Sequence, residues 1–503
     1  MEGTGENLVL EEKLLVLRAS VIDQMNSKKD DEAMETIKTI EQLIGKYPLT
    51  DVNGQFLIHS ILAKYYKRAN NYDKAANYSQ QALHIATKID EKHTREWIDL
   101  YINYAGLERD YHHYSNGRIL LAKLLALLDK KNWKDAYVYG LTYRLLGDIY
   151  TQEGNIENGI TQLETALRYF QKDVAETDPI IIKTIQLISS AYVQIEDYEQ
   201  ALALQQQLKE VFEQKNDQIS LGKTLMKKGE IYFYINLKEA RKTIIKALNI
   251  FKEVYKNNHL EIAKANLMLG ELEENMAKLP RAITYYKRSL QQFEKFYKNN
   301  HFMIVYTYSK IGTLSIKLNE LKQAKQYLEK GLSLSHQYTK IRLQFLNALG
   351  KIYSSLKQYD EALASFQEFL EILKQGGKMK SKAYADILQA IAFNFIQQDQ
   401  LEDAHSYYED ALAIYQQLTT HLPGEKGLTY IRLAYCQENI KDKDLLKAEK
   451  YYEKGFQLIE KVGDDGLMEE ALAGMISFFE RNPNPKKKRK YEHIFVKLQT
   501  TAK

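Results

Sequence analysis

Across residues 51–460 the apolar side chains return at i, i+3 and i+4, the spacing of one face of a helix, and no stretch alternates with the period of two that marks a half-buried strand. The pattern also repeats on a longer scale. One register recurs at NYDKAANYSQQAL (71–83), NIENGITQLETAL (155–167), DYEQALALQQQL (197–208), LKEARKTIIKAL (237–248), KLPRAITYYKRSL (278–290), ELKQAKQYLEKGL (320–332), QYDEALASFQEFL (358–370) and QLEDAHSYYEDAL (400–412), with weaker copies at 114–125 and 445–456. Its anchoring small residues are Ala75, Gly117, Gly159, Ala201, Ala240, Ala282, Ala324, Ala362, Ala404 and Ala448, and most successive intervals are 42 residues.

A second pattern precedes these copies at a fixed distance: LLGDIY (145–150), LISSAY (187–192), KKGEIY (227–232), MLGELE (268–273), KIGTLS (310–315) and ALGKIY (348–353). Together the two describe a helix pair. The small residue of the first helix (Gly147, Gly270, Gly312, Gly350) and the alanine of the second mark a close backbone approach, and the large residues around them fill the grooves. Such a unit cannot bury its apolar face alone, so successive pairs must stack.

These residues resemble the tetratricopeptide repeat, whose pattern sets a small residue at position 8, a bulky one at 11, alanine at 20, an aromatic at 24 and alanine at 27. At 143–167 those positions hold Gly147, Tyr150, Gly159, Leu163 and Ala166; at 346–370 they hold Gly350, Tyr353, Ala362, Phe366 and Phe369. The usual period is about 34 residues, and the excess adds about four residues, or roughly 6 Å, to each helix. The longer period resembles the kinesin-light-chain-like branch. The resemblance implies an all-α fold, a right-handed superhelical α-solenoid of about ten antiparallel helix pairs. In that branch a His-Pro or Asp-Pro dipeptide joins the repeats, and Asp178-Pro179 matches it. His259 and His301, each closing a YKNNH pentapeptide, hold the same place, so they are expected to cap the helices that follow.

Composition narrows the reading. Six Pro and 24 Gly in 503 residues leave long helices and short connections. The net charge of +4, from 70 basic and 66 acidic residues, suggests no polyelectrolyte, so no nucleic-acid partner is expected. The single cysteine, Cys436, forms no internal disulfide or CxxC metal site and reads as a core residue. No apolar run approaches the roughly 20 residues that span a bilayer. The acidic N-terminus MEGTGENLVLEEKLLVL is unlike a leader, so the expected place is the cytoplasm, including its cytoskeleton or cilia. The 37 tyrosines reflect either codon bias or aromatic packing between helices.

Three regions follow: an N-terminal helical cap or degenerate repeat (1–50), the array (51–460), and C-terminal capping helices (461–503) that contain the basic run PKKKRK (485–490). That run matches a nuclear import signal read in extended form, a contact for an anionic surface such as tubulin, or a solvated helix start; import is the less favoured. No HExxH, GxSxG, Walker or Cys/His cluster is present, so no catalytic residue, metal or cofactor is expected and the chain reads as non-enzymatic.

The resemblance implies that the first helices line a concave face. The residues placed there are Arg144 and Asp148; Lys183, Gln186 and Ser190; Lys223, Lys227 and Glu230; Lys264 and Glu271; Ser309, Lys310 and Thr313; Gln344, Asn347 and Lys351; and Gln389. Of these, Arg144, Gln186, Lys223, Lys227, Glu230, Lys264, Glu271, Lys310, Asn347 and Lys351 are the candidate partner-binding residues. The chaperone-tail carboxylate clamp of this superfamily is not matched by any three consecutive copies. The expected function is an adaptor or scaffold whose groove takes a partner peptide or helix. The alternative is a structural subunit built into a ciliary axoneme, a microtubule-associated assembly or a motor complex.

Overall fold

A computed structural model of the chain describes residues 3–47, 49–89 and 94–501. Among the described residues there are 24 α-helices, one short 3-10 turn and no strand. They fall into two compact units, Met1–Ile250 and Phe251–Lys503.

In the first unit the pairs are α1/α2 (Gly3–Asn26, Asp30–Lys46), α3/α4 (Val52–Arg68, Tyr72–Ile85) and α5/α6 (Thr94–Asp110, Tyr114–Lys130). Then come α7/α8 (Ala136–Glu153, Ile156–Asp173) and α9/α10 (Pro179–Gln194, Tyr198–Gln214). The pair α11/α12 (Gln218–Ile235, Leu237–Tyr255) ends the unit, whose boundary falls inside α12. The second unit holds α13/α14 (Leu260–Asn275, Leu279–Phe296), α15/α16 (Phe302–Lys317, Leu321–Leu334) and α17/α18 (Thr339–Ser355, Tyr359–Gln375). It continues with α19/α20 (Lys382–Gln397, Leu401–Gln417), α21/α22 (Pro423–Asn439, Leu445–Glu460) and α23/α24 (Asp465–Arg481, Pro485–Thr501).

From α3/α4 to α21/α22 the pairs close on the small residues that the register singles out. Ala75, Ala201, Ala240, Ala282, Ala324, Ala362, Ala404 and Ala448 are fully buried. A Cβ placed on Gly270 would sit 2.7 Å from the ring of Tyr286, and one on Gly147 would sit 2.8 Å from the carbonyl oxygen of Gly159. Only a bare backbone fits such crossings. Around them Tyr286, Phe293, Phe345 and Phe366 are almost wholly buried and supply the large knobs.

The corners between repeats behave as the YKNNH motif implies. Nδ1 of His259 accepts from the Glu261 amide at 3.1 Å, and Nδ1 of His301 from the Met303 amide at 3.2 Å. Asp178 caps α9 in the same way, accepting from the Ile180 amide at 2.8 Å, with Pro179 in the first turn. A further function of the motif is visible only in three dimensions. The tyrosine that opens each pentapeptide stacks flat on its histidine, Tyr255 on His259 and Tyr297 on His301, with centroids 3.6 Å apart.

Tyrosines also latch neighbouring helices. Tyr72, Tyr192, Tyr286, Tyr306 and Tyr353 each donate a hydroxyl hydrogen bond to a glutamate on another helix: Glu108, Glu164, Glu274, Glu271 and Glu329 respectively. An aromatic ring fills a core position while its hydroxyl reaches a carboxylate at the edge, which is why tyrosine serves where phenylalanine would leave that carboxylate less well bonded. Packing therefore occupies many of the 37 tyrosines.

Residues 1–50 supply α1 and α2, whose Leu14, Val21, Ile37 and Ile40 share a core with Ile58 and Leu62 of α3. At the other end Tyr491 of α24 stacks on Phe479 and meets Phe456 edge-on. The basic run 485–490 is not extended: it forms the first turns of α24. Lys487 pairs with Glu449 and Glu453, and Lys488 pairs with Glu480 at 2.9 Å. A receptor that reads five cations in extended form would have to undock this helix.

Candidate functional site

Within the second unit the first helices neighbour one another directly, α15 beside α17 and α17 beside α19. Their outward residues recur at helical spacing: Tyr306, Lys310 and Thr313 on α15; Gln344, Asn347 and Lys351 on α17; Asp386, Gln389 and Phe393 on α19; Glu425, Leu428 and Arg432 on α21. Residues three and four apart share a helix face, so each helix offers one short polar stripe.

Three clefts of about 600, 560 and 510 Å3 follow these stripes. Lys351 lines all three, and Asp386 and Gln389 line the last two. Each volume lies in the range of about 300–1,000 Å3 typical of ligand pockets.

The charges along this surface are mostly spent. Lys310 meets Glu274 at 3.1 Å, and Tyr306 donates to Glu271 at 2.8 Å. Lys382 reaches Asp386 at 3.0 Å and Glu425 at 3.1 Å, while Arg432 reaches Glu470 at 3.0 Å. Burial alone would lower the Lys382 ammonium, but its two carboxylate partners outweigh it and hold the pKa above the ordinary value. Burial, and then the Glu271 charge, push the Tyr306 phenol up, so it stays a donor. Lys351 differs from all of these: it is exposed and has no acceptor or carboxylate partner among the described residues. The Asn347 amide, one turn away, is likewise uncommitted.

The ten residues expected to bind a partner divide between the units. Arg144, Gln186, Lys223, Lys227 and Glu230 lie in the first, and Lys264, Glu271, Lys310, Asn347 and Lys351 in the second. Lys227 is spent on Glu230 of its own helix at 2.6 Å and Lys264 on Glu261 at 3.1 Å. Burial holds the Arg144 guanidinium below its ordinary pKa, and its Nε has no acceptor. Gln186 and Lys223 are exposed. Lys310, Asn347 and Lys351 line one cleft together, with Ser309, Thr313 and Gln344 beside them.

Sequence reading missed Asp386, Phe393, Leu428 and Arg432. Leu428 and Arg432 stand in the interval before Ala448, which lengthens to 44 residues, whereas Asp386 and Phe393 stand in the regular interval of 42 from Ala362 to Ala404. Their own spacing, 386/389/393 and 425/428/432, carries the signal. Cys436 lies in the core with its thiol pushed up to about 12 by burial, away from the clefts. Among the described residues no group of three or more His, Cys, Asp or Glu could hold a metal ion, and no helix is long and apolar enough to cross a membrane.

A tetratricopeptide repeat family model matches residues 139–214 and 342–417, and a second such model matches 305–338. No curated protein matches the chain. Similar solved structures include BtubC (BKLC) from P. vanneervenii, 17% identical over 45% of this chain and 92% of that one, with a TM-score of 0.37. The apo form of RapI is 12% identical over 80% of this chain and 98% of that one, TM-score 0.45. The apo form of the quorum sensor NprR from B. thuringiensis is 14% identical over 80% and 99%, TM-score 0.42.

Proposed function

We propose that this chain, a tetratricopeptide-repeat protein, is a non-enzymatic adaptor that holds a segment of a partner protein along the first-helix face of its second unit. One observation carries the reading: three adjoining clefts share Lys351, an exposed cation that has no counter-charge among the described residues. A peptide backbone lying across them meets the Asn347 amide and the side-chain oxygen of Gln389, whose NH2 is held by Glu425 and Thr429, and the polar stripes offer donors and acceptors along its length. Charge then sets its direction, because an anionic group gains most beside Lys351 and gains little beside cations already neutralised.

The long repeat period and the capped YKNNH corners resemble the kinesin-light-chain-like branch, so a motor or microtubule assembly is the first setting to test. A second reading, a subunit built permanently into such an assembly, rests on a separate feature. Tyr234 is 64% and Ile235 51% exposed at the end of α11, with Tyr234 stacked on Tyr198, an apolar edge of the kind that interfaces cover.

The two readings separate by peptide selection on the purified chain. A displayed library of protein segments is panned against the wild type and Lys351→Glu, and its best segment carries a photo-crosslinker. The adaptor reading expects that segment to label α15, α17 and α19 and to lose at least about tenfold in affinity to the reversal. Equal recovery by both proteins, or labelling confined to α11, removes the groove proposal.

A further inference from the structure

The corners that join successive pairs in the second unit lie on one edge, because the first helices run one way and the second helices the other. Three of these corners touch in sequence: residues 252–260, 295–302 and 335–340. The His259 ring lies 6.5 Å from that of Phe296, the Gln337 side-chain amide donates to the Asn300 carbonyl at 3.1 Å, and the Phe302 ring meets Tyr338 edge-on at 5.5 Å. They form one continuous strip. It lies apart from the three clefts, whose linings include none of these residues.

Unpaired cations crowd the strip. Lys256, Lys295, Lys298 and Lys340 are exposed, Lys252 is half-buried, and none of the five has an ion pair among the described residues. Acids are few. Glu294 accepts from the Tyr308 hydroxyl at 2.7 Å and Glu261 is held by Lys264 at 3.1 Å, which leaves Glu253 to oppose the five lysines.

Bulky apolar side chains stand among these lysines in contact with water: Val254, Phe296 and Phe302 are 38, 40 and 44% exposed. Phe296 ends α14 and Phe302 opens α15, so the two flank one corner. The flat Tyr297–His301 stack inside that corner holds it stiff, and a stiff corner binds without the cost of being ordered.

We propose that this edge docks on the surface of an anionic lipid bilayer. The lysines meet the charged headgroups, and Val254, Phe296 and Phe302 enter the interface between them. A bilayer takes each apolar side chain separately and needs no concave match, which suits side chains spread along a strip rather than gathered in a groove. A purely acidic protein segment would leave the phenylalanines uncovered. A single-stranded nucleic acid stacks its bases on rings, and Val254 offers none. The contact is peripheral, since no described helix is long and apolar enough to cross a membrane.

The full chain is mixed with vesicles of phosphatidylcholine alone and of phosphatidylcholine with about 30 mol% phosphatidylserine, and the bound fraction is read by co-sedimentation. Binding to the acidic vesicles is expected to be at least about tenfold tighter than to the neutral ones, and to weaken as salt rises from about 0.1 M to about 0.5 M. One lysine beside an acidic leaflet strengthens binding by about fivefold, so reversing Lys295 and Lys298 together to Glu should weaken it at least about tenfold. Phe296→Ser with Phe302→Ser should weaken it at least about fivefold. Phe296→Trp keeps a ring at the corner, and its added fluorescence over the wild type should shift to the blue on acidic vesicles. Two controls should bind as the wild type does: Lys278→Glu with Lys322→Glu, at the turns of the opposite edge, and Lys351→Glu, in the groove. Loss of the groove and loss of this edge are therefore read separately. No binding to the acidic vesicles, equal binding to the neutral ones, or indifference to either double change on the strip overturns the assignment. So does full displacement from acidic vesicles by poly-glutamate or a single-stranded oligonucleotide at equal charge, which would give the edge to another polyanion.

Discussion

Gly270→Ala is the sharpest test of the helix crossings on which every surface described above depends. The added methyl would lie 2.7 Å from the Tyr286 ring, which is fully buried and tied by its hydroxyl to Glu274 at 2.8 Å. The ring has nowhere to move. Replacing a mid-helix glycine by alanine gains about 1 kcal/mol of helix propensity, whereas overpacking a filled core costs about 1–3 kcal/mol. The expected net effect is a destabilisation of about 1 kcal/mol, opposite in sign to the change at an open helical glycine. A cycle with Tyr286→Leu isolates the clash. The smaller side chain frees space for the methyl group, so the double variant should be more stable than the sum of the singles by about 1 kcal/mol or more. Amide exchange of α13 and α14 is the assay to use, since a stacked array need not unfold in one step and a global midpoint averages over its parts. If Gly270→Ala stabilises these helices, or the two changes add within about 0.5 kcal/mol, the crossing is loose and the register is wrong.

Other outcomes follow from single contacts. His301→Ala removes both a cap and a stacked ring at the start of α15 and should destabilise it by about 1 kcal/mol, whereas His301→Asn keeps an acceptor and should restore part of the loss; exchange at the first turn of α15 reads both. Burial alone would raise the Glu425 carboxyl, but its own backbone amide and Lys382 hold it below the ordinary 4.5. The stability it contributes is therefore present above that value and is lost as pH falls through the lower folded pKa; an acid titration of α21 should show a smaller loss in Lys382→Met. Reversing Lys487 and Lys488 to Glu should release α24 and raise its exchange, while reversing Lys486 and Lys490, which form no ion pairs among the described residues, should not.

Much of the architecture is legible in the residues because the signal is periodic and local. Gly147, Gly270, Gly312 and Gly350 recur at one place in the first helix, and a glycine kept at a helix crossing needs no knowledge of distant chain to be read. The same holds for His259, His301 and Asp178, whose caps bond amides only two residues ahead. The Tyr–His stack within YKNNH escaped that reading because it depends on the angle at which one helix leaves and the next begins.

The candidate site was legible only in part. Helical position shows which side chains leave the first-helix face, and so it names Lys223, Lys227, Lys264, Lys310 and Lys351 alike. It does not show which of them keeps a free charge. Lys227 and Lys264 find glutamates on their own helices, Lys310 finds Glu274 on the preceding first helix, and Lys223 and Lys351 find no counter-charge among the described residues.

The sequence by itself determined the helices, their pairing, their capped corners and the identity of the small residues where backbones meet, since each follows from spacing within a few turns. Tertiary structure decided which surface charges remain available, that the run 485–490 is helical and docked, and that three inter-repeat corners of the second unit touch along one edge. The physical reason is range. Helix formation and capping are settled by residues three or four positions apart, whereas an ion pair or a cavity depends on side chains brought together by stacking from about forty residues away.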